Sequence, residues 1–287
     1  MVTVLALGAA LSYGLADFLG GTVTRYSSTL KALFWCVPAG LAVLFASALL
    51  TGRTPTSTSL AWGFTAGLAG GAGLLAFYRA LARGPMSVVA PVSALASALL
   101  PIAVGVARGE RLDATVLIGV LICLVAIALV SMEKSDGPAE RSRNRLDNGP
   151  LMAGVSGVCF GLFFALVKYA GTDGGLWPLV AARAGNLTIV ALALVAVLAR
   201  GGAPGAGVSG RRLIGLALLS GALDASANAL YYLAVNSGLL SLAAVLTSLY
   251  PAITVLLARI AYSERLRSVQ RVGLALAATG VALVTVG

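Results

Sequence analysis

Long uninterrupted apolar runs, such as Leu30–Leu50 and Thr115–Met132, constrain this chain more than any other feature. A helix needs about 20 consecutive apolar residues to cross the hydrocarbon of a bilayer, and the runs approach that length. Backbone groups in lipid must pair internally, and a helix achieves this within one segment. A membrane β-barrel would alternate apolar and polar residues instead. Composition points the same way: 59% of the residues are hydrophobic, 10% are charged, and mean hydropathy is +0.97. Soluble domains carry roughly 25% charged residues, so this chain has too few charges to cover a water-facing surface. The expected fold is all-α and integral to the membrane.

Apolar windows place about ten transmembrane helices. The first five are expected over Val2 to Gly20, Leu30 to Leu50, Leu60 to Ala82, Val88 to Ala107 and Thr115 to Met132. The polar stretch 133–149 (EKSDGPAERSRNRLDNG) has charges of both signs, Pro, Gly and no apolar run, and reads as a linker. Five more spans follow, over Pro150 to Ala170, Leu176 to Ala199, Leu213 to Val235, Leu239 to Tyr262 and Val269 to Val286.

The linker leaves five spans on each side, which invites a search for a repeat. At an offset of 154 residues, the separation of Glu110 from Glu264, three consecutive spans align without a gap. Tyr78 meets Tyr232, Gly84 meets Gly238, and Ser87 meets Ser241. Glu110-Arg111-Leu112 meets Glu264-Arg265-Leu266, and Gly119 meets Gly273. Compositional bias would match Ala and Leu, but not Tyr, Gly, Ser and Glu-Arg-Leu in one register. The first span of each half matches through Tyr13-Gly14 and Phe160-Gly161. The expected organisation is a five-helix repeat over 1–132, the linker 133–149, and a second repeat over 150–287. An odd number of spans per copy makes the second copy enter from the opposite side, so the two repeats are inverted. Such repeats are common in secondary transporters, which bind substrate near the midplane between the halves.

Gly-Glu-Arg-Leu at 109–112 and Ser-Glu-Arg-Leu at 263–266 each precede a Gly-bearing final helix. With Tyr13-Gly14-Leu15-Ala16-Asp17-Phe18 and Ala182-Arg183, this order of motifs resembles the drug/metabolite transporter (DMT) superfamily, EamA type, over nearly the whole chain. One departure is that the first half has Phe34-Trp35-Cys36 where the second carries Arg183. The resemblance implies a secondary transporter, with export of a small organic metabolite or drug-like compound across a bacterial cytoplasmic membrane. Its implied partners are a small-molecule substrate and membrane lipid, with protons as the candidate coupling ion. Monomer and homodimer stay open.

The net charge is +10, and the basic residues sit mostly between apolar runs. Without a basic stripe and interleaved aromatics, nucleic acid is not expected as a partner. Arg25, Lys31, Arg79, Arg83, Arg141, Arg200, Arg211 and Arg265 belong to one set of loops, and Arg53, Arg108, Arg111 and Lys168 to the other. The positive-inside rule puts the first set, with the linker, in the cytoplasm and both termini outside.

Histidine is absent, and Cys36, Cys123 and Cys159 lie in apolar runs at spacings that fit no metal motif or disulfide framework. There is no P-loop and no nucleophile elbow. The expectation is no metal, no cofactor and no catalysis.

Ionisable groups inside a bilayer are expensive and generally face a cavity or a partner. Ser220, Asp224 and Asn228 share one face of the eighth span, with Tyr231 and Tyr232 continuing near it. This stripe either lines a substrate path or locks Asp224 to Arg183. Arg183, with Asn186 three residues on, suits a substrate carboxylate, neutralisation of Asp224, or snorkelling to the interface. Asp17 reads as a cavity mouth or a solvated helix end, Gly20-Gly21 as a turn, and Lys168 as a snorkelling side chain. Glu110 and Glu264, each followed by Arg (Arg111, Arg265) and then a new helix, read as structural caps, with proton coupling as the alternative. Three rivals to the coupled transporter remain: an uncoupled facilitative exchanger, a non-transporting membrane sensor or partner protein, and a lipid-directed membrane enzyme.

Overall fold

The computed structural model describes residues 1–24, 26–81, 86–111, 113–131, 149–201, 207–262 and 268–286. The 133–148 part of the expected linker, with Glu264 and Arg265, lies outside them. Among the described residues the chain forms α1 (Val2–Thr24), α2 (Thr29–Leu50), α3 (Ser57–Leu81), α4 (Met86–Ala107), α5 (Ala114–Ser131) and α6 (Gly149–Tyr169). Then come α7 (Trp177–Ala199), α8 (Arg211–Ser237), α9 (Leu240–Thr247), α10 (Tyr250–Tyr262) and α11 (Ser268–Val286). Among the described residues, six helices are long and apolar enough to cross a membrane, and four apolar segments are shorter.

Each of the ten expected spans is helical, with two corrections. The ninth is broken into α9 and α10. The Ser248 N–H still donates to the Ala244 carbonyl at 2.9 Å, but the Leu249 N–H turns back to Leu246 at 3.3 Å. Pro251 has no N–H to offer Thr247, so the ladder cannot resume until the next turn. The second correction is that Gly20-Gly21 is no turn. Both residues are helical, and α1 runs on to Thr24.

The helices pack in a pattern that maps onto itself when the two halves are exchanged. Matching α1, α2 and α3 with α6, α7 and α8, α4 with α9 and α10, and α5 with α11 makes this plain. The packing of α3 on α7 and α6 becomes that of α8 on α2 and α1, and both sets of contacts are present. The α4–α6 contact becomes the packing of α9 and α10 on α1. The pairs α2–α7, α4–α9 and α5–α11 join each helix to its own counterpart. This is the contact signature of an inverted two-repeat bundle. Its halves interleave rather than stand apart.

Burial is inverted relative to a water-soluble core. Ala6, Ala9, Ala48, Ala66 and Ala98 are fully buried, whereas Leu50 is 89% exposed and Ile260 71%. Small residues let helix backbones approach, and large apolar ones cover the outside where lipid is the solvent. The α3–α7 contact shows how close the approach is. A Cβ added at Gly63 or Gly67 would run into the carbonyl oxygens of Pro178 and Ala182. At Gly71 it would stand 2.8 Å from the Ile189 Cβ. These glycines recur every fourth residue, which puts them on one stripe of α3.

Candidate functional site

The interleaving leaves a cavity of about 230 Å³ between the halves, lined by α1, α2, α3, α4, α6, α7, α8 and α10. From α1 it takes Tyr13, Ala16, Asp17, Gly20, Gly21 and Thr24, one stripe at helical spacing that follows the helix to its C-terminal end. The first residues of α2, including Ala32 and Leu33, continue the lining at that end. Because α1 extends through Gly20-Gly21, Asp17 is not a frayed helix end. It is an exposed residue within the helix, and it lines the cavity.

Packed beside α1, the α8 stripe contributes Ser220, Gly221, Asp224 and Asn228. The Arg183 guanidinium reaches across from α7 and pairs with Asp224. Arg183 is buried, with 9% of its side chain exposed, against 33% for Asp224. Gly40 of α2 makes room for the guanidinium, since a Cβ there would stand 3.4 Å from its Cζ and 2.8 Å from the Gly221 oxygen. The Asn228 Nδ2 donates to the Asp224 carbonyl at 2.7 Å and to its Oδ2 at 3.4 Å. The Ser220 hydroxyl donates to the Ala16 carbonyl at 2.8 Å and ties α8 to α1. Asn186 lines the cavity one turn beyond Arg183, with its Oδ1 buried and unpartnered.

Two residues of the expected stripe point elsewhere. Tyr231 is fully buried in the main core, donating to the Phe164 carbonyl at 3.1 Å. The Tyr232 hydroxyl donates to the Gly171 carbonyl, and its ring packs against Leu44, Val167 and Leu179. Neither lines the cavity. They lie one turn further along the helix axis than Asn228, where both side chains are buried in the packed bundle. The aromatic wall comes instead from Tyr13, Phe160, Phe163, Phe164 and Tyr250. The Phe160-x-x-Phe163-Phe164 spacing marks one helix face, and was the available signal for it.

At the end of the bundle away from Thr24, side chains from the two halves tie the helices together. There Trp62 stacks on Tyr169 at 5.3 Å, Phe45 meets Trp177 edge-on at 5.6 Å, and the Arg108 guanidinium sits 4.5 Å over the Tyr169 ring. The Trp177 indole donates to the Arg53 carbonyl at 2.8 Å. Lys168 does not snorkel. It donates to the Gly238 carbonyl at 3.1 Å and stands 3.6 Å from Glu110.

Glu110 caps a helix, but not the one that follows it. Gly109, at φ +88°, closes α4: the Glu110 N–H bonds back to Gly105 at 3.0 Å and the Gly109 N–H to Val106 at 2.9 Å. Both bonds and the left-handed glycine make a Schellman C-cap. This swings the Glu110 carboxylate onto the N-terminus of α9, in the other half. Its Oε1 accepts the Leu240 N–H at 2.7 Å, and its Oε2 accepts the Ser241 N–H at 3.1 Å and hydroxyl at 2.7 Å. Burial pushes the Glu110 carboxyl up, but these bonds and Lys168 together hold it below its ordinary value. A Cβ at Gly105 would collide with this carboxylate. Arg111 is exposed in the same turn.

The model of the EamA-like transporter family matches residues 1–132 and 147–286. The chain belongs to the EamA-like transporter family. It is therefore a multi-pass membrane transporter of the DMT superfamily, a family of transporters rather than enzymes. A solved crystal structure of a protein, with no activity stated, has the family member's fold: TM-score 0.78 at 18% identity, covering 99% of this chain and 96% of that one. No curated protein matches the chain at a significant level.

Proposed function

We propose that this transporter carries a small organic metabolite or drug-like compound by alternating access, as a secondary exporter of the bacterial cytoplasmic membrane, with protons as the coupling ion. The supporting observation is the asymmetry of the cavity between the halves. Its lining follows α1 to Thr24 at one end, while at the other end of the bundle aromatic pairs and the Glu110–α9 cap tie the two halves together. Under the positive-inside rule the Thr24 end faces the cytoplasm, as a carrier loading for export requires. The repeats 1–132 and 150–287, joined by the 133–149 linker, would rock against each other around the cavity. Asp17, Arg183, Asn186, Ser220, Asp224 and Asn228 form the substrate and ion path, and Tyr231 and Tyr232 brace α8 behind it. Glu110 with Arg111, and by repeat Glu264 with Arg265, serve as structure.

The test is flux from proteoliposomes loaded with a mixed metabolite pool, with and without an imposed proton gradient. Selective loss of one compound that responds to the gradient is expected. Selective loss indifferent to the gradient would replace coupling with facilitated exchange. No selective loss from folded, inserted protein would overturn the reading.

A further inference from the structure

We infer that the cavity selects an organic cation, a compact amine with an apolar or aromatic body, through the unpaired carboxylate of Asp17. This rests on the transporter reading and gives it a substrate class.

Charge decides first. Among the described residues, the acidic and basic side chains lining the cavity are Asp17, Arg183 and Asp224. Arg183 and Asp224 pair with each other, and the Asn228 amide adds a donor to the same carboxylate. The guanidinium is thus spent within the protein and is not offered to a substrate carboxylate. Asp17 is what remains. It is exposed in the cavity, and among the described residues no hydrogen bond or ion pair reaches it. Among the described lining residues Asp17 is thus the carboxyl group without an ion-pair partner, in surroundings that screen charge less than bulk water does.

Two independent features make the same demand. The Asn186 Oδ1 is a buried acceptor without a donor, and such groups are rare because they forfeit a hydrogen bond. An ammonium brings N–H donors, which a carboxylate ligand lacks. The walls add Tyr13, Phe160, Phe163, Phe164 and Tyr250, and the faces of aromatic rings attract cations while accepting an apolar body. The volume, about 230 Å³, lies just below the range of sites for drug-sized ligands, which suits a one-ring amine.

The experiment is calorimetric titration of the full chain in detergent at pH 7 with three one-ring probes: phenethylammonium, phenethyl alcohol and phenylacetate. The cation should bind, and the neutral and anionic probes should bind about tenfold more weakly or worse. Asp17→Asn should weaken cation binding by about tenfold or more and leave the unfolding midpoint unchanged, because Asp17 has no partner to lose. Asp17→Glu should restore binding. Failure of the amine to bind, equal binding of phenylacetate, or wild-type binding by folded Asp17→Asn would overturn the inference. The transporter reading fails separately. Amine binding without amine flux in proteoliposomes would sink that reading and leave the selectivity standing. Selective flux of an anion from the metabolite pool would do the reverse.

Discussion

Glu110→Gln removes one charge at the point where the α4–α5 turn holds the start of α9, and its consequence can be worked from the geometry. The carboxylate accepts three hydrogen bonds, at 2.7, 3.1 and 2.7 Å, and its side chain is only 12% exposed. Bonds to an ionised acceptor contribute about 1.5–3 kcal/mol each. Glutamine keeps one carbonyl oxygen for the α9 N–H groups, but it turns an NH₂ group against the remaining donors and abandons Lys168. The net loss is about 2–4 kcal/mol, which predicts a fall of several degrees in the unfolding midpoint at pH 7. The pH profile is diagnostic. The Glu110 carboxyl is depressed in the fold, so its contribution is fully present above the unfolded value of about 4.3 and is lost as pH falls through the folded value. Thermal unfolding of both proteins in detergent from pH 7 to pH 3 should show a gap that closes toward acid. Equal midpoints at pH 7, or a gap that widens on acidification, would refute the capping account.

Three further outcomes are expected. Asp224→Asn strands the buried Arg183 guanidinium and should destabilise the chain by about 3 kcal/mol, as should Arg183→Gln. The double variant should recover most of the loss in a denaturation cycle, and additive losses would deny the pairing. Gly67→Leu forces a side chain onto the Ala182 carbonyl and should cost about 1–3 kcal/mol or more. Gly21→Ala, inside α1 and with nothing within 4 Å of the added Cβ, should cost nothing and gain up to about 1 kcal/mol, with both read from unfolding midpoints. Tyr231→Phe loses the bond to the Phe164 carbonyl, about 1 kcal/mol, and should leave proteoliposome flux at the wild-type level because the ring lies outside the cavity.

The helices were legible because lipid imposes a strong, local rule: the length and continuity of an apolar run are visible one residue at a time. The repeat was legible too, and it pointed further than its spacing revealed. Gly238, Ser241 and Glu110, all singled out by the alignment, are joined through Lys168 at the end of the bundle away from Thr24. Nothing local said that Glu110 would reach a helix 130 residues away. The site was half legible. Ser220, Asp224 and Asn228 followed from their spacing of four, whereas Tyr231 and Tyr232 followed the same helix out of the cavity. A helical face drifts, and only the neighbouring helices fix where the lining stops.

What the sequence determined by itself is the solvent, the number of crossings and the inversion of the halves, since each follows from hydropathy, run length and an odd count of spans. What the tertiary structure decided is which charges cancel. Arg183 and Asp224 lie 41 residues apart on different helices, and whether the arginine serves a ligand or its own carboxylate depends on how α7, α8 and Gly40 of α2 converge. Coulomb energy depends on distance through space and on the local dielectric, and neither is written along the chain.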